Sequence, residues 1–235
     1  MMHLKRILYK LAIILLIGAT SSLHAEDPSV RAGKEINFSC VVWQLPAYPE
    51  IFYRQGEEFR PLQLLPRQRS PNYKLQSQKA LELYVASNQP DGKPGHQLVG
   101  KAPLPPGANQ MLFMIQEAAN GAKLPLTVFG VDDSLSSFPI GSFRFLNFTK
   151  LPLQVEFGGA TNKLPPQAIK VVKPEIPKLG GFLPFFIKDL NDNIGFQTRL
   201  FAQPRGRKMV LIVPPAKKGG NLAVLFLPQI MPPEP

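Results

Sequence analysis

Residues 110–116 read Gln-Met-Leu-Phe-Met-Ile-Gln, and residues 208–213 read Lys-Met-Val-Leu-Ile-Val. Each run is followed by glycine and lysine residues and then by a second apolar run, at 124–129 and at 222–227. Short apolar runs between such breaks are typical of β-strands, because helices are longer and repeat every 3.6 residues. Each half of the chain therefore ends in a predicted hairpin, and the two hairpins lie 98 residues apart.

The rest of the chain has the same character. Its 26 prolines and 18 glycines separate short apolar runs, and none of these runs has helical spacing over the length of an ordinary helix. We therefore expect an all-β fold. The clearest predicted strands are Ile36–Trp43, Ala80–Ala86, Gln110–Gln116, Leu124–Val131, Ser142–Phe148, Leu153–Phe157, Ile169–Val172, Met209–Val213 and Leu222–Leu227.

The first 25 residues have the pattern of a cleavable signal peptide. Lys5, Arg6 and Lys10 precede or border an apolar run at 11–17, and Ala25 precedes the predicted cut. The run is much shorter than the ~20 residues of a membrane-spanning helix. We expect an exported mature chain, in the periplasm or outside the cell, with no transmembrane segment. Since Glu26 rather than cysteine follows the cut, we expect no lipid anchor.

The two hairpins indicate an internal repeat. Asn37-Phe38-Ser39 and Asn147-Phe148-Thr149 begin the two halves in a loosely similar way. We predict two β-sandwich domains, 26–133 and 134–235, with about seven strands each. The alternative is that unrelated β-strands resemble one another. Glycine pairs such as Gly158-Gly159 are expected in turns.

One segment is similar to a known group of proteins. Residues 141–149, Gly-Ser-Phe-Arg-Phe-Leu-Asn-Phe-Thr, and 153–159, Leu-Gln-Val-Glu-Phe-Gly-Gly, resemble uncharacterised exported bacterial proteins with tandem immunoglobulin-like domains. Those domains open on an arginine-x-x-asparagine strand, here Arg144 and Asn147, and a second strand ending in glycine. The resemblance covers residues 132 to 175, and the first half departs from it because no arginine precedes Asn37. It implies an immunoglobulin-like sandwich and no particular activity.

Charge and cysteine content limit the classes of partner. The formal net charge is +11 at pH 7, and a basic surface favours anionic partners such as envelope polymers. Nucleic acid is not expected, since the chain is exported and has no recognisable binding motif. Cys40 is the only cysteine, so no disulfide forms within the chain. Its apolar neighbours predict a buried thiol, and the alternative is a reactive one.

Few residues have the chemistry of a metal or catalytic site. After the cut, His96 is the only histidine, and we place it in a solvated loop. One cysteine and one histidine cannot form the usual structural zinc site. Residues 189–195 begin like a calcium loop but lack its turn glycine and its glutamate, which favours an ordinary turn. Asp132-Asp133-Ser134 is either a cation site or, as we prefer, a capped turn. We predict no catalytic residue, metal or cofactor.

Cations and aromatic rings alternate in one region of the first half, where they could bind a sugar or an anionic polymer. The alternative is a solvated edge that prevents sheet aggregation. The same two readings apply to a basic cluster at Arg199, Arg205, Arg207 and Lys208. The candidate ligand-binding residues are Tyr53, Arg54, Phe59, Arg60, Arg67, Arg69 and Tyr73.

These observations predict an exported, non-enzymatic binding or scaffolding protein of the bacterial cell envelope. Its partner would be an unknown envelope protein or anionic polymer. One alternative is a periplasmic chaperone-like protein that works by strand addition. Another is a secreted carbohydrate hydrolase, which needs two facing carboxylates. The sequence selects no such pair among Glu57, Glu58, Asp132 and Asp133.

Overall fold

A computed structural model describes residues 35–76, 78–88, 92–215 and 220–230. The predicted signal peptide, residues 1–25, lies outside these ranges. Within these ranges the regular secondary structure consists of β-strands alone, which confirms the all-β prediction. The same ranges contain no helix long and apolar enough to cross a membrane.

The described residues form sixteen strands. All nine predicted strands are present, with ends shifted by at most three residues. The first eight are β1 Ile36–Val42, β2 Ile51–Gln55, β3 Glu58–Leu62, β4 Tyr73–Leu75, β5 Ala80–Asn88, β6 Pro94–Pro103, β7 Gln110–Glu117 and β8 Leu126–Asp132. The second eight are β9 Phe143–Asn147, β10 Leu153–Phe157, β11 Ala160–Leu164, β12 Ile169–Val172, β13 Gly181–Lys188, β14 Ile194–Ala202, β15 Gly206–Val213 and β16 Ala223–Ile230.

The strands form four sheets of four. Inner sheet 1 has the order β4-β1-β7-β8 and outer sheet 1 the order β3-β2-β5-β6. Inner sheet 2, β12-β9-β15-β16, and outer sheet 2, β11-β10-β13-β14, repeat those orders eight strands later. The pairs β1·β7 and β9·β15 are parallel, and the other named strand pairs are antiparallel. The prediction of about seven strands per half is corrected to eight.

The sheets stack in four layers. One apolar core lies between outer sheet 1 and inner sheet 1, and a second lies between inner sheet 2 and outer sheet 2. A third core, which we call the interface core, joins the two inner sheets. Its buried members are Val41, Leu112, Met114, Val131, Phe138, Leu146, Met209, Leu211 and Leu227.

This layering explains why some strands are apolar at consecutive positions and others alternate. In β7, Met111 and Phe113 face the core of the first sandwich, whereas Leu112 and Met114 face the interface core. A strand covered on both faces needs apolar residues at every position, and a strand covered on one face alternates. The strand β5 alternates in this way, with Leu81 and Leu83 buried and Glu82 on the open face.

The predicted 98-residue offset between the halves is wrong by one residue for the inner strands. It matches Phe113 with Leu211, yet Phe113 faces a sandwich core and Leu211 faces the interface core. Val210 occupies the sandwich-facing position in β15. A shift of one residue along a strand exchanges its two faces, so Phe113 corresponds to Val210. Two methionines in similar apolar runs concealed this shift in the sequence.

Gly158 and Gly159 form the turn of the β10–β11 hairpin, as predicted. Phe157 pairs with Ala160, so the two glycines are the whole connection. Their φ angles are 60° and 81°. Two-residue hairpin turns of this kind need positive φ at both positions, which glycine adopts without steric cost.

Candidate functional site

A cleft of about 850 Å³ opens between the two inner sheets. It lies where the parallel strands end: Trp43 follows β1, Glu117 ends β7, Phe148 follows β9 and Val213 ends β15. The interface core closes the gap between the inner sheets farther along the same strands. Both halves therefore contribute to one concave site, and its volume is in the range of small-molecule pockets.

The walls of the cleft are aromatic. Trp43 and Phe129 come from the first half and Phe148 from the second. The rings of Phe129 and Phe148 meet edge to face, with centroids 5.8 Å apart and an interplanar angle of 87°. Phe129 is 39% exposed although it is a large apolar side chain. These rings offer apolar surface to a ligand and also join the two halves.

Two residues on the cleft have unusual backbone conformations. Arg67 and Gln167 have φ angles of 58° and 57°, and both line the cleft. They occupy matching places, because each follows a proline in the loop between the third and fourth strands of its half. The left-handed region costs a residue other than glycine roughly 1–2 kcal/mol. Such strain concentrates at functional sites, and here it occurs on both sides of one cleft.

The guanidinium of Arg67 lies over the ring of Trp43, 5.1 Å from its centroid. A backbone hydrogen bond from the Arg67 N–H to the carbonyl of Val42, at 2.7 Å, holds the loop against β1. Within the part of the chain that the structure describes, this guanidinium has no hydrogen bond and no ion pair. The cleft therefore contains a positioned cation whose charge is not matched by a described residue.

A second polar cluster lies near the β8–β9 connection, and it is buried. The carboxylate of Asp133 accepts hydrogen bonds from Arg69 at 2.7 and 3.3 Å and from Arg207 at 3.2 Å. Arg144 lies 4.0 Å from the same carboxylate. The ring of Phe138 contacts two of these cations, Arg144 at 4.4 Å and Arg207 at 4.8 Å. Arg69 belongs to the first half and the other two arginines to the second, so the cluster fixes the two halves to each other.

Backbone carbonyls accept several of the hydrogen bonds that the arginines of this cluster donate. Arg144 donates to the carbonyls of Asp132 and Ser137 at 2.7 and 2.9 Å, and Arg207 donates to that of Phe138 at 2.7 Å. Burial lowers the pKa of Arg144 to about 10 and also lowers the pKa of Arg207. Both guanidinium groups still remain charged at neutral pH. The cluster is a closed structural joint, in contrast to the open cleft.

The aspartates of the 132–134 motif have separate roles. Asp132 accepts hydrogen bonds from the Ser134 N–H at 2.9 Å and from the Ser137 hydroxyl at 2.5 Å. These bonds make the capped turn that the sequence predicts at this place. Asp133 is the buried anion of the arginine cluster. The described residues contain no group of three or more His, Cys, Asp or Glu side chains that could hold a metal.

The residues of the arginine-x-x-asparagine pattern are structural. Arg144 belongs to the buried cluster, and Asn147 is 1% exposed. The amide nitrogen of Asn147 donates to the carbonyls of Leu151, Leu164 and Pro165 at 2.8, 3.1 and 3.0 Å. Its amide oxygen accepts from the N–H of Thr149 at 2.9 Å. Asn147 therefore organises the turn after β9, and both ends of its amide are engaged in that turn.

The seven candidate ligand-binding residues do not form one patch. Tyr53 is 3% exposed and contacts Phe38 in the first sandwich core, where Tyr73 also packs. Adjacent residues of a strand point to opposite faces, which separates Tyr53 from Arg54. Arg69 lies in the buried cluster. Of the seven, Arg67 alone lines the cleft.

The remaining three candidates lie on outer sheet 1. Phe59 stacks on His96, with centroids 3.7 Å apart and nearly parallel planes. Arg54 donates to the carbonyl of Gly56 at 2.8 Å, and Arg60 forms an exposed ion pair with Glu58 at 2.8 Å. His96, which the sequence places in a loop, lies in β6 instead. Its loop-like glycine and proline neighbours belong to the start of that strand.

The second basic cluster is also divided. Arg207 is buried against Asp133, whereas Arg199 lies over the ring of Phe182 at 5.7 Å. Lys208 donates to the carbonyl of Phe201 at 3.0 Å, and burial lowers its pKa. The sequence pattern grouped these residues by proximity in the chain, and strand alternation directs them to different surroundings.

Two further predictions are confirmed. Cys40 is fully buried and free, and burial raises the pKa of its thiol. The segment 189–195 begins with a turn at 189–193, in which the carboxylate of Asp189 accepts hydrogen bonds from Asn191 and Asn193, and its last two residues begin β14. The bonds from Asn193 lower the pKa of Asp189. This carboxylate is thus engaged within its own turn.

Sequence reasoning missed most of the cleft, including Trp43, Phe129, Phe148 and Gln167. One signal was available: the only tryptophan of the chain directly follows the first apolar strand. Comparison with protein-family models finds no match. Comparison with curated proteins finds no relative with significant sequence similarity.

Proposed function

We propose that this chain is an exported, non-enzymatic binding protein of the bacterial cell envelope, and that its ligand binds in the cleft between the inner sheets. The observation that supports it most is the guanidinium of Arg67, which has no ion pair with a described residue and lies in an aromatic cleft to which both halves contribute. A concave, largely apolar site with a few polar groups is the usual form of a ligand pocket.

The make-up of the cleft favours binding over hydrolysis. Among the described residues that line it, Glu117 is the one carboxylate. That carboxylate accepts a hydrogen bond from the N–H of Ala47 at 3.3 Å. Glycoside hydrolysis requires two carboxyl groups facing each other across the substrate. The single carboxylate of the cleft does not supply such a pair.

The architecture supports a relationship to immunoglobulin-like sandwiches in a broad sense. Two sheets of mostly antiparallel strands enclose each core, as in that class. The strand order differs from the immunoglobulin constant domain, where the first two strands are in one sheet. Here β1 and β2 lie in different sheets. We therefore propose shared architecture with a distinct strand order.

Binding is tested by immobilising the mature chain, residues 26–235, and identifying the envelope components it retains. Thr127→Tyr places a bulky ring in the cleft at an exposed strand position, and tyrosine is well tolerated in strands. Thr161→Tyr is the matched control, because Thr161 is exposed on β11 of outer sheet 2. We expect the unaltered chain and the control to retain the same ligand and Thr127→Tyr to lose it. Equal retention by all three proteins, or no retention, would contradict the proposal.

Export has an independent test. Expression of the full chain in a bacterium, followed by fractionation and N-terminal sequencing, should give a protein outside the cytoplasm that begins at Glu26. A product that keeps Met1 and stays in the cytoplasm would contradict the envelope location without bearing on the cleft.

A further inference from the structure

The positive charge of Arg67, which no described residue pairs, indicates an anionic ligand. The three arginines of the buried cluster all have an acidic partner, Asp133, within 4.0 Å. The guanidinium of Arg67, in contrast, lies over the ring of Trp43 and has no hydrogen bond or ion pair with a described residue, so its donors remain available to a ligand. A guanidinium has five N–H donors in a planar fork that fits a carboxylate in a bidentate manner. Its fixed position over the indole reduces the entropy lost on binding.

Most of the other polar side chains that line the cleft are uncharged, and Glu117 is the exception. Gln44, Gln116, Thr127 and Gln167 are exposed and line the cleft. None of these four side chains forms a hydrogen bond with another residue in the described ranges. Each glutamine amide offers two donors and an acceptor. A ligand rich in hydroxyl groups would satisfy them, whereas a hydrocarbon chain would remove them from water without replacing those bonds.

The apolar part of the site is broad and shallow. Beyond the main cleft lies a small pocket of about 50 Å³, lined by apolar residues such as Val41, Met114 and Leu225. That volume is too small for a long acyl chain, for which each methylene needs its own apolar surroundings. Trp43 and Phe129 instead offer flat rings at the wall, and such rings suit the apolar face of a sugar.

We propose that the cleft binds an acidic oligosaccharide, whose carboxylate pairs with Arg67 while its hydroxyl groups bond to the surrounding amides. The inference rests on the proposed binding function of the cleft and adds the chemical class of the ligand. One sugar ring lies against the aromatic wall, and Gln167 contributes a contact from the second half.

Trp43 is the only tryptophan of the chain, so its fluorescence reports on this cleft alone. The mature protein is titrated with a panel of acidic oligosaccharides, tri-galacturonate and a hyaluronan tetrasaccharide, and with the methyl ester of each. We expect at least one acid to change the Trp43 emission, and its ester to bind at least tenfold more weakly. Esterification neutralises the carboxylate and leaves the rest of the sugar intact. The comparison of each acid with its ester therefore measures the contribution of the charge to binding.

Variants connect the charge to one residue. Arg67→Asn removes the cation and keeps a residue that tolerates the left-handed conformation. We expect this substitution to weaken binding of the acidic oligosaccharide at least tenfold and to leave binding of its ester unchanged. Arg54→Asn, on the exposed face of outer sheet 1, should bind both as the unaltered protein does. Thermal unfolding of each variant verifies that it is folded.

The outcomes separate the two proposals. Equal binding of acid and ester, or no response to any acidic sugar at millimolar concentration, would overturn the carbohydrate inference. A response to dodecanoate without one to the sugars would do the same and assign the cleft to amphiphilic anions. In both cases the comparison of Thr127→Tyr with Thr161→Tyr would still decide whether the cleft binds a ligand of the envelope.

Discussion

Arg207 and Asp133 form an ion pair that is almost completely withdrawn from solvent. Their closest atoms, Nη2 and Oδ2, lie 3.2 Å apart, and the side chains are 0% and 1% exposed. Asp133 follows the last strand of the first half, and Arg207 lies near the start of β15 in the second. The pair therefore joins the two inner sheets by a charge interaction beside the apolar interface core.

Asp133→Ala should be strongly destabilising. The substitution leaves Arg69, Arg144 and Arg207 close together without their common anion. Removing one partner of a buried ion pair costs about 3–5 kcal/mol, because the remaining charge stays buried and unpaired. We expect a decrease of that size in the free energy of unfolding, measured by guanidinium denaturation.

The control for this prediction is Glu57→Ala, which removes an exposed acid from the β2–β3 turn. Surface changes of this kind usually alter stability by less than about 0.5 kcal/mol. Similar effects from the two substitutions would show that Asp133 contributes no more than a surface charge.

Local pattern was enough to predict nine of the sixteen strands and the two hairpins that end the halves. The continuous apolar run at Met111–Ile115 contained more information, since both faces of such a strand must be covered. This pattern is a sign of an inner sheet, which we did not infer from the sequence, and it does not say which residues cover the strand. They come from Met209 and its neighbours, about a hundred residues away, and no local rule connects the two.

The site was harder to predict for the same reason. Arg67 and Arg69 are two residues apart and look equivalent in the sequence, yet one lines the cleft and the other is bound to Asp133. Their difference depends on the left-handed backbone at Arg67 and on the position of an aspartate in a distant loop. Trp43 and Phe148 form a site only because the inner sheets stack. Of the seven residues that charge and aromatic content selected in the sequence, the structure places Arg67 alone in the cleft.

Arg67→Gly should separate stability from binding. Glycine adopts positive φ without steric cost, so the substitution relieves strain worth roughly 1–2 kcal/mol, while the more flexible unfolded chain offsets up to about 1 kcal/mol. We expect unfolding free energy that is unchanged or slightly higher, together with weaker binding in the retention assay. Gln68→Gly, at a neighbour without positive φ, should lower stability instead. A loss of stability in Arg67→Gly equal to that of Gln68→Gly would show that Arg67 is not strained.

Gly158→Ala should cost more than Gly159→Ala. Both positions have positive φ, so both substitutions introduce backbone strain. A Cβ at Gly158 would also lie 2.7 Å from the Cβ of Pro174, whereas a Cβ at Gly159 would meet no atom within 4 Å. The clash adds a further penalty of about 1–3 kcal/mol. Thermal unfolding of the two variants tests this order, and equal midpoints would exclude the close approach of Pro174.

Cys40 should make stability fall at alkaline pH. In the folded protein, burial raises the pKa of its thiol well above the usual range. In the unfolded chain the pKa of the thiol is about 8.5. Below that pH both states keep the proton and this group has no effect. Above it the unfolded state binds fewer protons than the folded state, so the free energy of unfolding decreases as pH rises. The expected slope approaches about 1.4 kcal/mol per pH unit.

The measurement is urea denaturation of the unaltered protein and of Cys40→Ala from pH 7 to 10.5. Cys40→Ala loses the thiol and therefore this contribution, while tyrosines and lysines titrate alike in both proteins. The stability difference between the two proteins should be constant up to about pH 8 and should then shrink steadily. A difference that stays constant through pH 10.5 would mean that the folded thiol ionises as readily as the unfolded one, which would place Cys40 in contact with solvent.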